Sequence, residues 1–219
     1  MNNMNGQDKF EGFLNKLAGR LTNIVLLGFF ALLFSLPIVT LGASMTALHD
    51  AMSQYVLYDA DKTLKIFFAS FKKYFKISTI VWLVHALALA ILVLDYLYYK
   101  GGDTTLDILG QAGIFTLMAV IIFEMLMVFV IISQDMAKTP WEAFKKALDI
   151  SFTCLLETLS LLIINIGVPL LSALLLPGFL LVLPGVIAYV SWQIIPKMLK
   201  KYKFKKGNAT YQREKRKKQ

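Results

Sequence analysis

Five ionisable residues stand inside or beside long apolar stretches of this sequence: His49, Asp50, His85, Glu124 and Glu157. They are the side chains best placed to do chemistry, because a charge at the centre of a bilayer costs several kcal/mol unless it is paired or hydrated. His49 and His85 are the only two histidines. Two imidazoles among carboxylates could hold a metal, relay protons or line a polar cavity. They could equally serve as polar contacts between helices, worth about 0.6 kcal/mol each. Counted from cytosolic helix ends near Tyr58, Ile77, Ser133 and Leu148, they lie about 8 to 9 residues in, or ~12–14 Å at 1.5 Å per residue, so they are expected to share one layer. No catalytic residue, metal site or cofactor is assigned, since the sequence has no phosphate-cradling glycine loop, no HExxH, no CxxC and no GxSxG. A non-enzymatic protein is expected.

The elements that must position these residues follow from composition. Of 219 residues 57% are hydrophobic and 17% charged, against about 25% charged in soluble domains. No Asp, Glu, Lys or Arg lies between Arg20 and Asp50, between Lys76 and Asp95, or between Glu157 and Lys197. Crossing about 30 Å of hydrocarbon takes about 20 helical residues, so these blocks read as membrane spans. The fold class is therefore all-α: a polytopic transmembrane helical bundle of five or six membrane helices plus basic amphipathic surface helices. Residues 1–206 read as a single integral membrane domain and 207–219 as a disordered polybasic cytosolic tail. The single cysteine, Cys154, can form no internal disulfide and reads as a small buried apolar side chain.

Along the chain, the spacing of Phe10, Phe13, Leu14 and Leu17 suits a short interfacial helix leading into a first span from about Leu21 to Pro37. Residues 43–58 are short, rich in small residues, and could either cross the membrane inside a bundle or lie in the cytosol. Leu64, Phe67, Phe68, Phe71 and Phe75 form one helical face and Lys65, Lys72 and Lys76 largely another, which predicts a basic helix lying on the membrane. Spans are expected from about Ile77 to Tyr98, with Tyr96, Tyr98 and Tyr99 at the interface, and from about Leu106 to Ser133. Thr139-Pro-Trp-Glu142 has the pattern of a capping box, with Thr139 as N-cap, Pro140 at the first helical position and Glu142 at the third. The apolar run from Asp149 to Pro196 is too long for one crossing and carries Asn165, Gly167 and Pro169 near its middle, so it reads as a hairpin of two spans. Pro177-Gly178 and Pro184-Gly185 would then break the second span, either as packing kinks or as marks of a binding site.

Basic residues decide the orientation. With six crossings, 22 of the 23 Lys and Arg residues face the cytosol and only Lys100 faces out; the best five-span arrangement divides them 19 to 4 with the N-terminus outside. The positive-inside rule favours six. Either way the protein is expected in the plasma membrane, multi-pass, with a cytosolic C-terminus. The net charge of +9 is explained by this orientation together with anionic lipid at the basic helices and tail, without nucleic acid. Asn208-Ala-Thr210 matches a glycosylation acceptor that a cytosolic tail would not use.

The run from Leu36 through Pro37, Thr40, Gly42, Ala43 and Ser44 to Ala47, followed by Phe67-Phe68 and Phe71-Lys72-Lys73 up to Lys76, resembles the YesL-like family of bacterial integral membrane proteins of unknown function. The helix from Thr139 to Ala147 also fits that pattern. The resemblance implies a turn motif at Pro37, Thr40, Gly42, Ala43 and Ser44, and a Gram-positive setting beside carbohydrate uptake. An accessory role alongside an ABC transporter, with its permease subunits as partners, is expected on that basis. The other expectation, from the residues themselves, is a small transporter or channel using the intramembrane His/carboxylate layer.

Overall fold

The computed structural model describes residues 6–102, 104–175 and 181–217, and every regular element among them is helical. Helix α1 (Gly6–Ser35) stops at Pro37, which cannot donate to a continuing helix. A 3₁₀ turn (Ile38–Thr40) leads into α2 (Leu41–Tyr58), which is closed by Asp59 in the left-handed region at φ 51°. Helix α3 (Thr63–Tyr99) runs for 37 residues, about 55 Å. Helix α4 (Thr105–Ser133) opens on a capping box between Thr104 and Asp107. Helix α5 (Pro140–Thr153) starts where expected, with the Thr139 hydroxyl accepting from the Glu142 N–H and Pro140 in the first turn, but the capping box is not reciprocal, because the Glu142 carboxylate accepts from the Lys138 N–H one residue earlier. Then follow α6 (Leu155–Leu162), a π-helical turn (Ile163–Gly167), α7 (Val168–Leu175) and α8 (Leu183–Lys217).

Four stretches among the described residues are long and apolar enough to cross a membrane: Ala18–Ser35, Thr63–Tyr99, Thr105–Ser133 and Leu155–Leu174. The chain is a multi-pass membrane protein. Helices α2 and α8 fall short of that measure, and α2 is largely buried. It is the hub of the bundle, packed against α1, α3, α4 and α8, with Gly42, Ala43, Ser44, Thr46, Ala47, Leu48, Ala51, Met52, Ser53 and Tyr55 buried. A helix surrounded by protein has no need of an apolar exterior, and small residues let neighbouring backbones approach.

Several expected boundaries are corrected. The N-terminal interfacial segment is not a separate helix, because nothing between Gly6 and Ser35 interrupts α1. The basic segment at 64–76 is likewise the first half of α3, with no proline or glycine between it and the apolar half. Its aromatic face packs on α1 instead of lying on lipid: Phe67 is fully buried, and Phe34 meets the rings of Phe67, Phe68 and Phe71 edge-on at 5.9, 5.4 and 5.0 Å. The hairpin after Asp149 does not turn at Asn165–Pro169. Pro169 cannot donate to the carbonyl four residues back, and the helix widens into the π turn and continues to Leu175. Pro177-Gly178 lies outside the described residues. The basic tail expected to be disordered from 207 continues α8 as helix to Lys217.

Candidate functional site

The turn between α1 and α2 is built by the five residues singled out there. Pro37 ends α1, and the Thr40 hydroxyl turns back to the Phe34 carbonyl at 2.6 Å, a group left free by the end of the helix, and to the Pro37 carbonyl at 2.8 Å, which also accepts the Thr40 backbone N–H. The Ser44 hydroxyl donates to the Ala31 carbonyl at 2.6 Å, pinning α2 to α1, and Ala43 is fully buried beside it. Gly42 sits where a side chain would run into the Ser78 carbonyl oxygen and come within 2.6 Å of Trp82 Cβ. Trp82 in turn donates from Nε1 to the Ile38 carbonyl at 2.7 Å, and Thr46 shares a 2.8 Å hydrogen bond with Ser78. Irregular backbone in this setting is thus satisfied from within the protein, as hydrocarbon requires.

Four of the five ionisable residues have separate partners. His85 and Glu124 form a buried pair between α3 and α4, through Nε2 and Oε2. His85 Nδ1 lies 2.8 Å from the Val81 carbonyl, which only accepts, so Nδ1 carries a proton. One further proton is shared between Nε2 and Oε2, and the pair is neutral overall whichever atom holds it. Phe144 of α5 covers the imidazole, ring centroids 5.1 Å apart. Charge balance suits the interior of a membrane bundle, although Glu124 Oε1 is buried without a hydrogen-bond partner among the described residues, and a cavity of about 210 Å³ borders His85, Glu124 and Phe144.

Asp50 accepts from the Ser70 hydroxyl at 2.5 Å and belongs to a polar latch at one end of the bundle. There Lys73 pairs with Asp135 at 2.6 Å, Tyr74 donates to the Ser133 carbonyl at 3.2 Å, and Gln134 donates to Ser53 at 3.2 Å. These residues join the ends of α2 and α4 to the start of α3. Sequence reasoning missed them, although Ser70, Lys73 and Tyr74 recur at helical spacing and Ser133-Gln134-Asp135 is a polar triplet directly after an apolar run.

Glu157 pairs with Lys201 of α8. The same basic stretch is held by α5: the Tyr202 hydroxyl donates to Asp149 at 2.6 Å, and Lys206 donates to the Tyr202 oxygen at 2.9 Å. Burial pushes the Tyr202 phenol up from its ordinary value. Cys154 is buried, its thiol 3.6 Å from the Met198 carbonyl. His49 stands apart from all of these, between two cavities that also meet Asn165. Among the described residues no group of three or more His, Cys, Asp or Glu side chains could hold a metal ion.

Residues 21–96 match the model of a family described as a protein of unknown function, DUF624. The matched stretch runs from Leu21 in α1 to Tyr96 in α3 and so contains the α1–α2 turn and the hub helix. No curated protein and no solved structure matches the chain.

Proposed function

We propose that this chain is a non-enzymatic accessory protein of the bacterial plasma membrane that works through lateral contact with the permease subunits of an ABC transporter for carbohydrate. The observation that carries the reading is that the intramembrane polar groups are occupied in separate places: His85 with Glu124, Asp50 with Ser70, and Glu157 with Lys201. A small transporter or channel using a common His/carboxylate layer would need those groups to face one another. The apolar outer faces of α3 and α4, by contrast, are extensive, with Leu87, Leu94, Leu106 and Leu109 each more than 60% exposed, and suited to lipid or to another membrane helix. The carbohydrate setting rests on the resemblance of the turn motif and the Phe/Lys helix.

In this reading six segments cross the membrane, α6 and α7 counting as one, and both termini are cytosolic. The placement of 22 of 23 basic residues on one side supports it, and so does the burial of α2, which removes the objection from its weak hydropathy. A reporter fused at Gly6, at Lys62 or at the C-terminus is expected in the cytosol and one after Gly102 outside; an external Gly6 reporter refutes six crossings. A photoreactive amino acid at Leu94 or Leu109 in native membranes is expected to capture permease subunits. Capture of lipid alone at every such position would sink the partner assignment.

A further inference from the structure

Two cavities of about 330 and 170 Å³ share Met45, His49 and Asn165. The larger lies between α1, α2 and the last two spans, walled by Leu32, Leu48, Pro169, Leu183 and Ile187. Departures from regular helix shape it. Pro169 and the π turn hold Asn165 against it, and Pro184 lies in the first turn of α8, where proline is tolerated. Such breaks keep walls apart where side chains would otherwise close them, and in membrane proteins they recur at binding sites.

Within this apolar enclosure His49 is out of balance. Its Nδ1 is fully buried and has no hydrogen-bond partner among the described residues. The other polar side chain, Asn165, is directed by donation to the Leu161 carbonyl at 2.8 Å and to Ser191 at 3.4 Å. Glu124 Oε1 and Glu157 Oε2 are also buried without a partner, but each of those carboxylates is held through its other oxygen, and Asp50 and His85 are bonded too. His49 alone of the five makes no side-chain hydrogen bond among the described residues, and so is the group that an outside partner would best satisfy.

We infer that the cavity at His49 and Asn165 binds a neutral single-chain lipid, a hydroxyl-terminated alkyl chain such as a monoacylglycerol, with its hydroxyl on the His49 imidazole and its chain along the apolar wall. Size and polarity favour this class. Among the described residues no Lys, Arg, Asp or Glu lines either cavity, so a charged headgroup would find no counter-ion there and would incur the full cost of burial. Polar contact is available at one end only, while a volume of about 330 Å³ lies at the lower end of small-molecule sites and suits a chain segment and its head, not a two-chain lipid.

The test uses the full chain purified in nanodiscs and a diazirine-bearing monoacylglycerol as the probe, with adducts mapped by mass spectrometry. Labelling is expected at Met45 and Ile187, and it should fall on addition of excess unlabelled monoolein but not of oleate, while labelling at exterior Leu94 follows neither. His49→Leu should lower cavity labelling about three- to tenfold, the value of one hydrogen bond, and Ala188→Phe should abolish it by filling the space at this buried wall position. The proposal is overturned if monoolein fails to compete, if oleate competes equally, or if His49→Leu leaves cavity labelling unchanged, since water then suffices as the imidazole's partner. The competition arm needs no variant and stands even where Ala188→Phe does not fold.

Discussion

The approach of α2 to α3 at Gly42 is the sharpest test of how this bundle is held together. An added methyl group in Gly42→Ala would overlap the Ser78 carbonyl oxygen, lie 2.6 Å from Trp82 Cβ and 3.1 Å from Phe129 Cε1. Ordinary contact begins near 3.4 Å, so the two helices must separate by about 1 Å in a core packed as densely as a crystal. The opposing atoms at Ser78 and Trp82 are backbone and Cβ, which cannot swing aside. Separation by that amount would also carry the Trp82–Ile38 and Thr46–Ser78 hydrogen bonds, at 2.7 and 2.8 Å, past bonding distance. Overpacking costs about 1–3 kcal/mol and each interhelical hydrogen bond about 0.6 kcal/mol, giving about 2–4 kcal/mol together. At about 2–4 °C per kcal/mol for a chain of this size, the melting temperature should fall by about 4–16 °C. Cys154, the single and buried cysteine, provides the assay, because a thiol-reactive fluorophore reports its exposure on heating in detergent. A Gly42→Ala melting temperature within about 1 °C of the unaltered protein would refute the reasoning, and with it the view that small residues in α2 are there to permit close packing.

Three further outcomes follow from the same geometry. At the α1–α8 crossing a methyl group on Gly28 would lie 2.6 Å from the Gly185 nitrogen and one on Gly185 would strike the Ile24 carbonyl oxygen, so Gly28→Ala and Gly185→Ala should each destabilise by about 1–3 kcal/mol; their combination should lose less than the sum, because one separation relieves both, and strict additivity in the Cys154 melt would count against the contact. Glu124→Ala should cost about 3–5 kcal/mol by stranding His85, Glu124→Gln much less because an amide can still donate to Nε2, and the His85→Leu/Glu124→Leu pair should recover part of the loss; equal effects of Gln and Ala would contradict the paired arrangement. The Glu142 carboxyl is held below its ordinary value first by the Lys138 N–H at 3.0 Å and then by the Lys146 ammonium at 2.6 Å, so its contribution to the start of α5 is complete above about 4.5 and lost as the pH falls through the lowered value; Glu142→Gln should flatten stability against pH in that acidic window, and an unchanged profile would exclude the effect.

Much of this protein is determined by local sequence. Long charge-free stretches in a chain without competing polar positions leave the backbone no partner but itself, so helices of membrane length follow from composition alone. The helix starts at Thr104 and Thr139 and the stop at Pro37 are equally local, because caps and proline act within one turn. The turn residues Pro37, Thr40, Gly42, Ala43 and Ser44 were legible for a related reason: small and turn-forming types are conspicuous in an apolar context. What periodicity could not decide was which neighbour a helical face would meet. The Phe67 and Phe71 stripe has the same spacing whether it meets lipid or Phe34, and α2 looks too polar for a membrane until it is surrounded on several sides by protein.

The ionisable residues divide along the same line. Their presence in apolar surroundings is a property of the sequence, but their partners are set by how the helices pack in three dimensions. His85 reaches Glu124 across the α3–α4 hairpin, 39 positions away, and Glu157 is captured by Lys201, 44 positions away. Equal depth along separate helices does not bring side chains together, because each helix also has a rotation about its own axis, and only packing sets it. That rotation turned Glu157 to the basic stretch of α8, closed His85 on Glu124, and left His49 facing a cavity, its Nδ1 without a partner among the described residues.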